Sequence, residues 1–274
     1  MSASPAPMTV TSELRAVLRR LKLGQMLDTL PERLALARHN HLPHADFLEL
    51  VLTDEIARRD RTSAMVRARA AHLDPTMVLE GWDDTAAVTF DRTMWAELTT
   101  LRFVDDNANA LILGPVGVGK TFLAAALGHI ACRRRYTVHF ERADKLFKRL
   151  KAAYLDASHD VEMRKLLRVD VLIIDDLALQ SLDPVETADL YELVVERHRQ
   201  ASLIVTSNRD PSEWMVQMAD PLLAQSAIDR IQSAAFELVV EGESYRKRQK
   251  PVVGAPHDDS RPPRRPRRRT NTPR

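Results

Sequence analysis

The residues best placed to do chemistry form one short run, Gly114-Pro115-Val116-Gly117-Val118-Gly119-Lys120-Thr121. It follows an apolar stretch, Ala110-Leu111-Ile112-Leu113, and precedes a helix-like one, Phe122 to Ala131. Strand, glycine-rich turn and helix in that order have the spacing of a P-loop. Glycines let backbone N–H groups converge on phosphate oxygens without Cβ clashes, and the helix aims its positive dipole end at the same phosphates. Lys120 is placed for the β- and γ-phosphates, and the Thr121 hydroxyl for Mg²⁺. The chain has 8 glycines, and Gly114, Gly117 and Gly119 all fall in this window.

Asp175 and Asp176 end the most apolar run in the chain, Val169 to Ile174. Downstream of a P-loop, adjacent acids at a strand end suit two tasks. Asp175 would hold the Mg²⁺ shell, and Asp176 would orient or deprotonate the attacking water. Turn or helix-cap aspartates also follow strands, which is the plainer reading. Asn208 follows the apolar run Ser202 to Thr206 by two residues. Its amide could bond a γ-phosphate or the lytic water. Asp210-Pro211 just beyond makes a turn-forming asparagine an equal alternative.

These groups need a frame. Five apolar runs read as strands: Ala110–Leu113, Thr137–Phe140, Val169–Ile174, Ser202–Thr206 and Phe236–Val240. Helical patterns separate them at Phe122–Ala131, Ala143–Tyr154, Pro184 to about Gln200 and Pro221–Gln232. Such alternation predicts an α/β fold, a parallel sheet of five strands covered by helices on both faces. Ligands in these sheets bind at the carboxyl ends of the strands, where all the groups above fall. No convincing strand precedes Ala110. Helices are expected from Thr11 to a stop at Gly24, after Pro31, and from about Ala45 to Arg61, with Phe47, Leu48, Leu50, Val51 and Ile56 facing inward. The segments are therefore 1–10 without structure, a helical region 11–82 joined through Leu73–Trp82, an ATPase-type unit 83–250, and a tail 251–274.

The chain of 274 residues is 45% hydrophobic and 28% charged, ordinary for a globular protein. No apolar run is long enough for a membrane span, and Met1–Thr11 lacks the apolar core of a signal peptide, so a cytoplasmic protein is expected. Cys132 is the 1 cysteine, which rules out an intrachain disulfide and reads as core packing. His39, His41 and His44 lie close together, but with no cysteine and a turn-like Asn-His-Leu-Pro setting they do not make a metal site. The net charge of +2 hides an asymmetry, because Arg261, Arg264, Arg265, Arg267, Arg268, Arg269 and Arg274 leave the rest mildly acidic. With Pro262, Pro263 and Pro266 between them, these arginines form no core and either hold a phosphate backbone or merely solubilise. Arg58, Arg59, Arg61, Arg67 and Arg69 are the folded candidates for DNA-backbone contact, the plainer reading being a solvated face beside Asp54, Glu55 and Asp60.

The P-loop taken with Ile173-Ile174-Asp175-Asp176-Leu177, Thr206-Ser207-Asn208, Trp214, Ala227-Ile228-Asp229-Arg230 and Gly242-Glu243-Ser244-Tyr245-Arg246 resembles the IstB-like transposition helper ATPases. These are AAA+ proteins related to the DnaC-type helicase loaders. The resemblance spans roughly Leu14 to Arg246 and includes Phe47-Leu48-Glu49-Leu50-Val51-Leu52 and Asp54-Glu55. It implies ATP as the nucleotide and a P-loop AAA+ core behind a small helical domain. It implies Arg230 as an arginine finger reaching a neighbouring subunit's nucleotide, Arg246 as a phosphate contact in cis, and Asn208 as the polar sensor. Ala178 stands where many relatives carry glycine, which alters the local turn without removing metal binding. The resemblance also implies no helical lid, and the tail lies outside the pattern.

The function implied is an ATP-dependent, largely sequence-nonspecific duplex-DNA-binding ATPase. It would assemble as a homo-oligomer and assist a cognate transposase, with no membrane partner. A replicative helicase loader, acting on single strands, is the alternative. A P-loop kinase is more remote, since it needs a second pocket and lid.

Overall fold

The computed structural model describes residues 10–82, 88–233 and 235–244. Arg246, the arginine-rich tail and the first nine residues lie outside them.

The helical region opens with α1 (Ser12–Arg20), whose N-cap Thr11 accepts from the Leu14 amide. After a single 3-10 stretch beginning at Gly24 come α2 (Leu30–His39) and α3 (His44–Ala70). Leu18, Met26, Leu30 and Val51 make a small core of their own, packed by Leu23, Leu27, Leu34 and Phe47. At 27 residues, α3 is much longer than the helix expected to end near Arg61. No proline or glycine interrupts it, so nothing local stops it there. Leu48 and Ile56, expected on the buried side, are 56% and 60% exposed. The inward line is Val51–Glu55, and Leu48, Leu52 and Ile56 form a second line at four-residue spacing that faces solvent.

The distal half of α3 turns to a different partner. Ala64, Ala68 and Ala71 are buried, and the last two join Leu73 in the main core. The Ala71 carbonyl accepts from the Phe140 amide at 2.8 Å, covering the edge of the sheet described next.

Five parallel strands follow in the order β3-β4-β5-β2-β6: β2 (Asn109–Leu113), β3 (Val138–Arg142), β4 (Val171–Asp175), β5 (Ser202–Ser207) and β6 (Ala235–Val239). Side chains alternate between faces, so the central strands β2, β4 and β5 each feed two cores. Ala110, Ile112, Val171, Ile173 and Ile204 pack beneath α4 (Arg92–Thr100) and α6 (Lys120–Arg133). Leu111, Leu113, Leu172, Ile174, Leu203 and Val205 pack beneath α7 (Ala143–Ala153), α9 (Pro184–Arg197) and α11 (Pro221–Gln232). Cys132 is buried in the first core, and burial pushes its thiol up to about 11.

Several elements escaped the sequence reading. The short helix α5 (Arg102–Asp105) follows α4, and α8 (His159–Leu167) follows α7. The four-residue α10 (Pro211–Trp214) precedes α11. A strand also precedes Ala110, contrary to expectation: β1 (Val88–Thr89) pairs antiparallel with β7 (Glu241–Gly242). Two residues carry no periodicity, so only a distant partner defines such a strand. Among the described residues no helix is long and apolar enough to cross a membrane.

Candidate nucleotide-binding site

β2 runs straight into the glycine-rich loop, and α6 begins at Lys120. Gly114, Gly117 and Gly119 have φ of 146°, 90° and 98°, a region closed to most side chains. A Cβ on Gly114 would stand 2.0 Å from the Val240 carbonyl oxygen, and one on Gly117 2.1 Å from Ser244 Oγ. Pro115, Val116 and Val118 complete the loop; Val118 is buried and Val116 points outward. Buried Lys120 donates through Nζ to the Gly114 and Pro115 carbonyls at 2.7 and 2.8 Å, which lays the ammonium along the loop.

The strand register places the other groups beside this loop. Leu113 lies opposite Ser207, and the Gly114 amide donates to the Ser207 carbonyl at 3.2 Å, so Asn208 follows directly next to the loop. Its Oδ1 is buried with no hydrogen-bond partner. Asp175 ends β4, one strand further out, and the Thr121 hydroxyl reaches its Oδ2 at 3.2 Å. Burial pushes the Asp175 carboxyl above its usual range, and the neighbouring Asp176 charge adds to that push; hydrogen bonds from Thr206 and Thr121 and the Arg142 charge oppose it.

Thr206, noted in the sequence as part of a strand and of the Thr206-Ser207-Asn208 run, was given no role of its own there. Fully buried, its hydroxyl donates to Asp175 Oδ1 at 2.7 Å and accepts from the Asp176 amide at 2.8 Å. One side chain thus fixes both acids. A hydroxyl near the end of an otherwise apolar strand was the signal available. Trp214 is fully buried and donates to Ser207 Oγ at 3.1 Å and the Arg209 carbonyl at 3.2 Å, bracketing Asn208. Arg142, opposite Asp175 in the register of β3 and β4, is a second charge the sequence reading passed over.

Thr121 and the two aspartates offer hard oxygen donors, the set that suits Mg²⁺. The raised Asp175 carboxyl and the orphaned Asn208 oxygen also fit that arrangement, since a cation beside the first supplies its missing counter-charge and a bound water can donate to the second.

Other expected site residues lie elsewhere. Arg230, in the last turn of α11, folds back on its own helix and donates to the Ser226 carbonyl at 2.8 Å and to the Ser226 hydroxyl. Arg58 and Arg59 both close on buried Glu55, at 2.8 and 2.7 Å. The Arg58 hydrogen bond leads in holding Glu55 down at about 2, against its burial, with Arg59 helping. Arg67 donates to the Cys132 carbonyl at 2.9 Å. Arg61 and Arg69 are exposed and make no ion pair among the described residues. Lys145 and Lys148 on α7 and Arg164 and Arg168 at α8 are likewise exposed and unpaired, a cationic surface the sequence reading did not single out.

Residues 16–252 match the family described as IstB-like ATP binding protein. An insertion-sequence ATP-binding protein of Mycobacterium tuberculosis is 37% identical over 239 residues, 87% of this chain and 95% of that protein. Another, of Pseudomonas aeruginosa, is 32% identical over 242 residues, 88% of this chain and 91% of that one. Among solved structures, DnaI superposes with a TM-score of 0.52 at 22% identity, covering 60% of this chain and 90% of its own. The replication initiator DnaA bound to AMPPCP and single-stranded DNA gives 0.51 at 20% identity, covering 62% of this chain and 51% of that one. These two structures show a shared fold, the AAA+ core. The phosphate loop, the acids of β4 and the family match over most of the sequence lead to one assignment: the chain belongs to the IstB-like ATP-binding proteins.

Proposed function

We propose that the protein is a Mg²⁺-dependent ATPase that binds duplex DNA without reading its sequence and assists a transposase. The observation that carries the catalytic half is the meeting of Thr121 with Asp175 at 3.2 Å across the end of the sheet, one strand from the orphaned Asn208 oxygen. Lys120 and the loop amides hold the triphosphate. Thr121 and Asp175 hold Mg²⁺, which neutralises the charge on the β- and γ-phosphates. Asp176 orients the attacking water and takes its proton, while Asn208 fixes the γ-phosphate. The left-handed backbone at Asp176, φ 59°, turns its side chain away from the strand direction that Asp175 continues.

The DNA half rests on charge. Arg61 and Arg69 on α3, Lys145 and Lys148 on α7 and Arg164 and Arg168 at α8 are exposed and make no ion pair among the described residues, which leaves them available to a phosphate backbone. The relatives' place in insertion sequences supports a transposase as partner and the cytoplasm as the setting.

Arg230 is proposed to act on the nucleotide of a neighbouring copy. Its reach would make hydrolysis depend on assembly. Arg230→Ala should bind ATP and not hydrolyse it, whereas Lys120→Ala should do neither. Mixed together, the two inactive variants should regain activity, because a Lys120→Ala copy still lends its arginine to an Arg230→Ala neighbour. An Arg230→Ala protein with wild-type turnover, or mixtures that stay inactive, would remove the trans assignment.

A further inference from the structure

The phosphate loop has a neighbour that the triphosphate machinery leaves unexplained. Trp82 ends the segment leading out of the helical region, and its indole lies against Gly119, where the loop turns into α6. A Cβ on that glycine would come within 3.0 Å of indole carbons Cη2 and Cζ3. The same ring meets Phe122, in the first turn of α6, at a centroid separation of 5.4 Å and an interplanar angle of 59°. It also meets Phe90, at 6.0 Å and 73°, which in turn meets Trp95 edge-on at 6.0 Å. Neither neighbour is stacked parallel to the indole, and Trp82 is only partly buried.

The placement has a chemical direction. Thr121, Asp175 and Asn208 mark the end of the site that takes the γ-phosphate. Phosphates bound along the loop and the start of α6 then carry the nucleoside towards the flank formed by Gly119 and Phe122. That flank is where Trp82 stands. A purine is a flat π-system, and an indole is the largest surface a protein can offer it. Phe90, itself packed on Trp95, and Phe122 hold the indole in place, so little freedom is lost when a base arrives.

We propose that Trp82 is a positioning residue of the nucleotide site, the platform on which the purine base of the bound nucleotide rests. The proposal deepens the ATP reading above and rests on it. It also ties base occupancy to the segment that joins the helical region to the sheet, since Met77, Leu79 and Trp82 pack on the main core together.

The test compares two ligands that share phosphates and differ in the base: ATP and inorganic tripolyphosphate, each with Mg²⁺, binding to the full chain. Trp82→Ala should weaken ATP roughly tenfold, the lower part of the range for losing one base–aromatic stack. Tripolyphosphate affinity should be unchanged, and Trp82→Phe should recover most of the ATP affinity. Equal losses for both ligands would show that the indole merely props the loop, and unchanged ATP affinity would show that no base touches it; either result overturns the proposal. If Trp82→Ala does not fold, energy transfer from tryptophan to N-methylanthraniloyl-ATP decides. It should fall sharply in Trp82→Phe, and undiminished transfer overturns the proposal. Failure of the underlying ATP reading looks different, because the wild type would then bind neither ligand or Lys120→Ala would bind both.

Discussion

Glu141 lies in β3, where Arg149 of α7 donates to it at 2.6 Å and His139 Nε2 sits 3.0 Å away. Burial alone would raise its carboxyl, but the hydrogen bonds from His139 and Arg149 outweigh burial and hold it at about 2, against an ordinary 4.5. The carboxylate returns to 4.5 on unfolding, so its stabilisation is complete above that pH and is lost as pH falls through about 2. With the partial exposure of the pair discounted, the contribution is roughly 2 kcal/mol. Denaturant titrations at pH 7 and pH 3 should therefore show Glu141→Gln losing less stability on acidification than the wild type. Equal losses would mean that this network does not set the acid response. At this scale the sequence was most informative where chemistry is contiguous. Gly114 to Thr121 and the Asp175-Asp176 pair are each a single run whose spacing carries the meaning. Thr206, Arg142 and Trp82 were not legible in the same way, because each matters through a contact across strands or segments that no local pattern announces.

The turn after β4 shows what an element demands of its residues. Asp176 and Ala178 both have φ of 59°, a left-handed conformation that crowds a Cβ against the following carbonyl. The turn is pinned from outside, with Arg209 donating to the Ala178 carbonyl at 3.1 Å and Ser207 to the Leu177 carbonyl at 2.8 Å. Reading glycine as the customary residue at 178 pointed to this turn, and the positive φ supplies the reason. Ala178→Gly should raise stability by about 1 kcal/mol, which in a unit of this size is a rise of roughly 2–4 °C in Tm. A lower Tm in a calorimetric scan would mean that the turn is not strained. The central strands β2, β4 and β5 were easy to find because both of their faces are buried, which leaves near-continuous apolar runs. The helices were harder. α3 is apolar along two lines, and only contact with α1 and α2 decides which line turns inward.

Across the whole molecule, several contacts bind the helical region to the ATP-binding core, among them the Arg135–Asp60 ion pair at 3.0 Å. Arg67 on α3 bonds the Cys132 carbonyl of α6, and the Ala71 carbonyl covers the edge of β3. Motion at the nucleotide loop therefore has a short path to α3, through α6 and through the segment ending at Trp82. The layered parallel sheet was legible in the alternation of apolar strands with helical patterns. The seating of α3 on that sheet was not, since Ala64 and Ala68 look like ordinary helix formers until they are seen packed. Exposed cations lie on both units, Arg61 and Arg69 on α3 and Lys145, Lys148, Arg164 and Arg168 around α7 and α8. A nucleotide-driven shift of one unit against the other would change how these charges line up along a phosphate backbone.

The most direct test of that account is equilibrium binding to duplex and to single-stranded DNA, with ATP, with ADP and without nucleotide, in the wild type and Lys120→Ala. The account predicts cooperative, sequence-tolerant binding to duplex that requires ATP, weakens as salt rises and is lost in Lys120→Ala. Duplex binding indifferent to nucleotide and to Lys120, or a marked preference for single strands, would contradict it.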